Sequence, residues 1–131
     1  MMAEGLVKID FKYIGSKDSN EVCNIELKWS EVVKEILLHV SLASTKDEEV
    51  FTLDYISKRI SKFISKKIDE ERPMQKLLRG NIEVALLDES TYKITRYLVK
   101  NEFVRGFYNE NREKVFAITD NGIDFLDNLI L

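Results

Sequence analysis

Asp88 to Leu131 reads DESTYKITRYLVKNEFVRGFYNENREKVFAITDNGIDFLDNLIL, and three changes of pattern divide it. From about Ser90 to Asn101, Ile94 and Leu98 stand four apart with Thr91 beside them at the start, the spacing of one buried helix stripe. Phe103–Tyr108 and Lys114–Ile118 then read as two strands around a polar tip, Asn109–Glu113. Thr119 is placed to cap a closing helix with Asp120 in its first turn, where the helix dipole favours an acid. The order is helix, hairpin, helix.

These residues carry a resemblance. Ser90, Thr91, Ile94, Leu98, Phe103 and Val104 resemble the third helix and first wing strand of a winged helix-turn-helix domain. Ala117-Ile118-Thr119 with Gly122 and Leu126 resembles that family's strand into its closing helix. The resemblance covers about a third of the chain. Glu102 stands where the family usually has Gly, so the turn from helix into wing must be made differently here. The resemblance implies an α+β winged helix-turn-helix fold that binds double-stranded DNA. Winged helices also dock proteins, so an interaction module without nucleic acid is the alternative.

Composition sets the bounds around that stretch. The 131 residues fit one domain, and 44% hydrophobic with 33% charged residues is a globular composition. No apolar run approaches the roughly 18 to 20 residues that a spanning helix needs. Residues 1–5 lack the basic-then-apolar opening of a secretory signal, so no membrane partner and a cytoplasmic location are expected. A lone Cys23 excludes an intramolecular disulfide and a cysteine-rich zinc site. The net charge of -3 is unevenly spread: residues 51–115 hold 14 Lys/Arg against 10 Asp/Glu, while residues 116–131 hold none against 3. Local field rather than total charge decides whether a phosphate backbone is attracted.

Upstream, Leu6 to Trp29 reads as a β-hairpin. Val7, Ile9, Phe11 and Tyr13 alternate with polar residues, 15–20 supplies turn chemistry, and Cys23, Ile25, Leu27 and Trp29 alternate again. The hairpin either covers one side of the core or offers a free edge to a second copy or partner. It is taken as an extension, residues 1–29, on a winged-helix core of residues 30–131. Ser30 is expected to cap a helix over Glu31–Ala43 whose stripe is Val32, Val33, Ile36, Leu37 and Val40. His39 lies beside it with no second His, no Cys and no acid at i+4, and reads as a partly buried helix residue.

Phe51-Thr52-Leu53 can be a short strand or a helix lead-in. The helix that follows repeats every four residues, Ile56, Ile60, Ile64 and Ile68 on one ridge and Lys58, Lys62 and Lys66 on the next, with Arg59 and Lys67 alongside. That basic ridge is either a solvated face or a row of ammonium groups for phosphates. Pro73 ends the helix, and Met74–Asp88 reads as helical again. Some twenty-five residues separate the ridge from Ser90, so either the domain carries a helical insertion or the element before Ser90 is itself the second helix.

For DNA, the candidates on the Ser90–Asn101 helix are Thr91, Tyr92, Lys93, Thr95, Arg96 and Lys100, types that can meet phosphates or base edges. Lys58, Arg59, Lys62 and Lys66 would track the backbone, and Arg105, Arg112 and Lys114 would serve the wing. Glu110 and Glu113 dilute the wing's field. The last helix is apolar around most of its circumference, which implies a homodimer through Ile123, Leu126, Leu129 and Ile130. No Gly-rich phosphate loop, nucleophile elbow or metal-ligand spacing is present, so no enzyme chemistry and no cofactor are expected.

Overall fold

The computed structural model describes residues 5–14, 21–43, 50–71 and 83–130, with side chains at 41–43 and 130 excepted. It is a mixed α+β fold. Strands β1 (Leu6–Tyr13), β2 (Cys23–Lys28) and β3 (Val84–Leu86) form one antiparallel sheet in the order β2-β1-β3, and β4 (Val104–Tyr108) with β5 (Lys114–Ile118) forms a ribbon. The helices are α1 (Trp29–Ala43), α2 (Leu53–Glu71), α3 (Asp88–Lys100) and α4 (Asp120–Ile130).

The hairpin forms with Ile9 opposite Ile25, but it is woven into the core rather than appended to it. Val7, Ile9, Phe11 and Leu27 are buried in the same cluster as the stripes of α1 and α2. The second edge of β1 is taken by β3 along Phe11–Tyr13, with Lys12 opposite Ala85. Trp29, expected in the strand, opens α1 instead, because β2 passes into the helix without a loop. Its N–H donates to the Gly5 carbonyl at 3.1 Å, and Ser30 lies inside the first turn.

The four-residue repeat of α2 buries Ile56, Ile60, Ile64 and Ile68, as residues stacked on one ridge require. Ahead of it, Phe51 bridges Phe116 through two backbone hydrogen bonds of 2.8 Å, a one-residue bridge on the other edge of β5. The Thr52 hydroxyl accepts the Tyr55 N–H at 3.1 Å, which caps α2. Both readings of Phe51–Leu53 are therefore realised in turn.

The helix expected over Met74–Asp88 is not what precedes α3. Residues 72–82 lie outside the described residues, and with them the proposed insertion. Val84 and Leu86 are buried with Ala85 exposed between them, the alternation of a strand, and β3 pairs with β1. Thus the element before Ser90 is not a second helix; α2 and α3 share the core through Ile60, Ile64, Ile94 and Leu98.

Candidate nucleic-acid interface

Helix α3 starts without a side-chain cap at Leu87. Asp88 and Glu89 sit in its first turn, and the Leu87 N–H donates to the Asp10 carbonyl at 3.0 Å. The Ser90 hydroxyl accepts the Asp10 N–H at 2.9 Å. The far end closes in a Schellman turn: the Glu102 N–H donates to the Val99 carbonyl and the Phe103 N–H to the Leu98 carbonyl, both at 3.0 Å. Glu102 takes the left-handed conformation with φ 61°. A non-glycine residue thus holds the left-handed position of this turn.

The buried stripe of α3 is Ser90, Thr91, Ile94, Thr95 and Leu98. Thr91 and Thr95, both expected among the DNA contacts, therefore face the interior, and the Thr95 hydroxyl donates to the Thr91 carbonyl at 2.8 Å. Thr91 is three residues before Ile94 on the same stripe, and Thr95, one position beside it, is small enough to be covered. Tyr92, 52% exposed, Lys93, Arg96, Val99 and Lys100 remain on the solvent side. Lys93 donates to the Lys8 carbonyl at 3.1 Å. Arg96 and Lys100 have no carboxylate partner among the described residues.

The ribbon follows beside this face. Val99 of α3 and Arg105 of β4 line one cleft with Glu102, Asp120 and Asn121. The guanidinium of Arg105 lies 5.1 Å from the Phe107 ring centre, and Lys114 Nζ lies 4.8 Å from that of Tyr108. Gly106 makes room for Lys114, since a Cβ there would come within 2.8 Å of the lysine Cε. At the tip, Asn109 Oδ1 accepts the N–H groups of Asn111 and Glu113, both at 2.9 Å. Arg112 is exposed with φ 62°. Thr119 caps α4 as expected: its hydroxyl accepts the Gly122 N–H at 3.1 Å and donates to the Glu102 carbonyl.

The basic ridge of α2 belongs elsewhere. Lys58, Lys62 and Lys66 line a groove between α2 and β3 together with Asp54, Asp69, Glu70 and Glu83. Lys58 is paired with Asp54 at 2.9 Å. Arg59 is drawn into the α1–α2 seam, 3.0 Å from Glu35 and in hydrogen-bond contact with His39. His39 thus does have an acidic neighbour, Glu35, one turn earlier at 3.3 Å. The i−4 spacing was the available signal. Lys67 pairs with Glu31 at 2.7 Å across the same seam.

In α4, Phe125 and Leu126 are buried in the chain's own core, so Leu126 is not free to form a dimer contact. Ile123 and Leu129 remain 42% and 43% exposed, and the Ile130 side chain lies outside the described residues. No described helix is long and apolar enough to cross a membrane, and no three His, Cys, Asp or Glu side chains among the described residues gather to hold a metal ion. No protein-family model, curated protein or solved structure matches the chain.

Proposed function

We propose that this protein is a winged helix-turn-helix protein that binds double-stranded DNA through the exposed side of α3 and the adjoining ribbon, as a transcriptional regulator or DNA-organising factor. The observation that carries the reading is the stripe Lys93, Arg96 and Lys100, spaced three and four residues apart on the solvent side of α3 with no carboxylate partner among the described residues. The order α1, Phe51 bridge, α2, β3, α3, ribbon, α4 supports the fold assignment.

In this reading Lys100, Arg105, Arg112 and Lys114 meet phosphates. Arg96 and Lys93 can donate to guanine O6 and N7, and Tyr92 can meet a phosphate or a thymine methyl. Thr91, Thr95 and Arg59 have no part in it, because they are spent inside the fold. Nor do Lys58, Lys62 and Lys66, whose groove carries four carboxylates. A fluorescence-anisotropy titration of duplex DNA at low salt tests the proposal: binding that weakens steeply with salt supports it, and none at micromolar protein defeats it.

A protein-docking role is the second reading, favoured by the exposed acids at the start of α3 (Asp88, Glu89) and at the ribbon tip (Glu110, Glu113). Heparin retention separates the two, since a docking module of this net charge elutes without a salt gradient.

A further inference from the structure

The exposed side of α4 is the chemical complement of the exposed side of α3. Asp120, Asp124 and Asp127 are all exposed, and no Lys or Arg occurs after residue 115. The three stand at i, i+4 and i+7, which is one stripe of a helix. On α3 the cations read backwards from the helix end are Lys100, Arg96 and Lys93, also at steps of four and three. Laid antiparallel, the two stripes bring Asp120 to Lys100, Asp124 to Arg96 and Asp127 to Lys93. Each stripe is flanked by exposed apolar side chains, Ile123 on α4, Tyr92 and Val99 on α3.

We infer that the exposed face of α4 docks on the exposed face of α3 in a second copy of this chain. The contact stands on this charge and apolar matching. Its consequence, that self-association and DNA compete for the same lysines and arginine, rests on the DNA reading above. The C-terminal end of α3 and the N-terminal end of α4 line one cleft, through Val99, Asp120 and Asn121. With the two faces adjoining, a two-fold pair can make the contact twice and close, where a head-to-tail contact would propagate. The association is of the weak, salt-sensitive kind, because exposed charges are screened beyond about 10 Å at moderate ionic strength.

Sedimentation velocity of the full chain over a concentration series, at low and at high salt, is the test. A monomer–dimer shift at low salt that high salt suppresses is expected. The double variants Asp124→Lys/Asp127→Lys and Lys93→Glu/Arg96→Glu each lose association by on the order of tenfold or more, from like-charge juxtaposition. Mixed together, they form a heterodimer. Circular dichroism checks that both remain folded. A chain that stays monomeric throughout, or a dimer indifferent to both reversals, overturns the inference. Duplex titration of the unmutated chain keeps the two ideas apart: salt-sensitive pairing, restored in the mixture of variants, without any DNA binding upholds the contact and sinks the DNA reading, whereas DNA binding by a chain that never pairs does the reverse.

Discussion

The Ser90 hydroxyl accepts the backbone N–H of Asp10 at 2.9 Å, joining the first turn of α3 to the middle of β1 across eighty residues of sequence. The Asp10 carbonyl at the same point takes the Leu87 N–H. Where β3 ends, the beginning of α3 therefore continues its ladder along β1, and this fixes where the helix leaves the sheet. Ser90→Ala removes the acceptor from a buried site. A loss of about 1–3 kcal/mol is expected, the cost of a buried donor left without a partner, and urea unfolding measures it.

Glu102 holds a left-handed conformation at the Schellman turn. Such a conformation costs an L-residue roughly 1–2 kcal/mol, while glycine loses roughly 0.5–1 kcal/mol through unfolded-state entropy. Glu102→Gly is expected to stabilise the protein by a few tenths to about 1 kcal/mol. Thermal unfolding that shows a loss instead would mean that the glutamate side chain contributes more than its backbone costs.

Gly122 is needed for a different reason. A Cβ at this position would stand 2.4 Å from the Phe103 carbonyl oxygen and 2.8 Å from the Ile118 side chain. The Phe103 carbonyl also accepts the Thr119 N–H, so the backbone there is not free to move. Gly122→Ala should cost about 1–3 kcal/mol by overpacking and loosen α4 from the ribbon, which hydrogen exchange of the α4 amides reads directly.

Burial raises the Tyr55 phenol above its ordinary value, the nearby Arg59 charge opposing the rise and Glu35 adding to it. A group whose folded pKa lies above its unfolded one gives stability that is complete below the unfolded value. That stability disappears as pH climbs through the folded value. The protein should therefore lose stability above about pH 10, the ordinary tyrosine pKa. Tyr55→Phe should flatten that loss without harming neutral-pH stability, because the hydroxyl is buried with no hydrogen-bond partner among the described residues. Chemical unfolding along an alkaline pH series decides it.

On duplex DNA, Arg96→Ala is expected to weaken binding to a preferred sequence by about 1–3 kcal/mol and to relax the preference. Lys62→Ala should leave affinity within about twofold, its side chain lying in the α2–β3 groove. Anisotropy titrations on two or more sequences test both. Equal losses for the two variants would place the α2 ridge on the same duplex.

The periodicities of the chain were enough to locate α1, α2, α3, the ribbon and α4, because each writes its buried face at a fixed local spacing. The cap at Thr119 was legible for the same reason, its partner Gly122 being three residues away. β3 was not: three residues are too few for a period to register, and Val84-Ala85-Leu86 becomes a strand only because β1 presents an unpaired edge. The cationic residues divide on similar lines. Lys93, Arg96 and Lys100 are exposed by their phase on α3 alone.

Arg59 and Lys58 carry the same charge in the same repeat, yet one is tied to Glu35 and the other to Asp54. Local spacing along a helix settles which side a residue faces, and that is written in the chain. Which acid waits across the gap, whether a threonine is covered, and which edge a short strand finds depend on elements far apart in sequence, and only their packing together decided those.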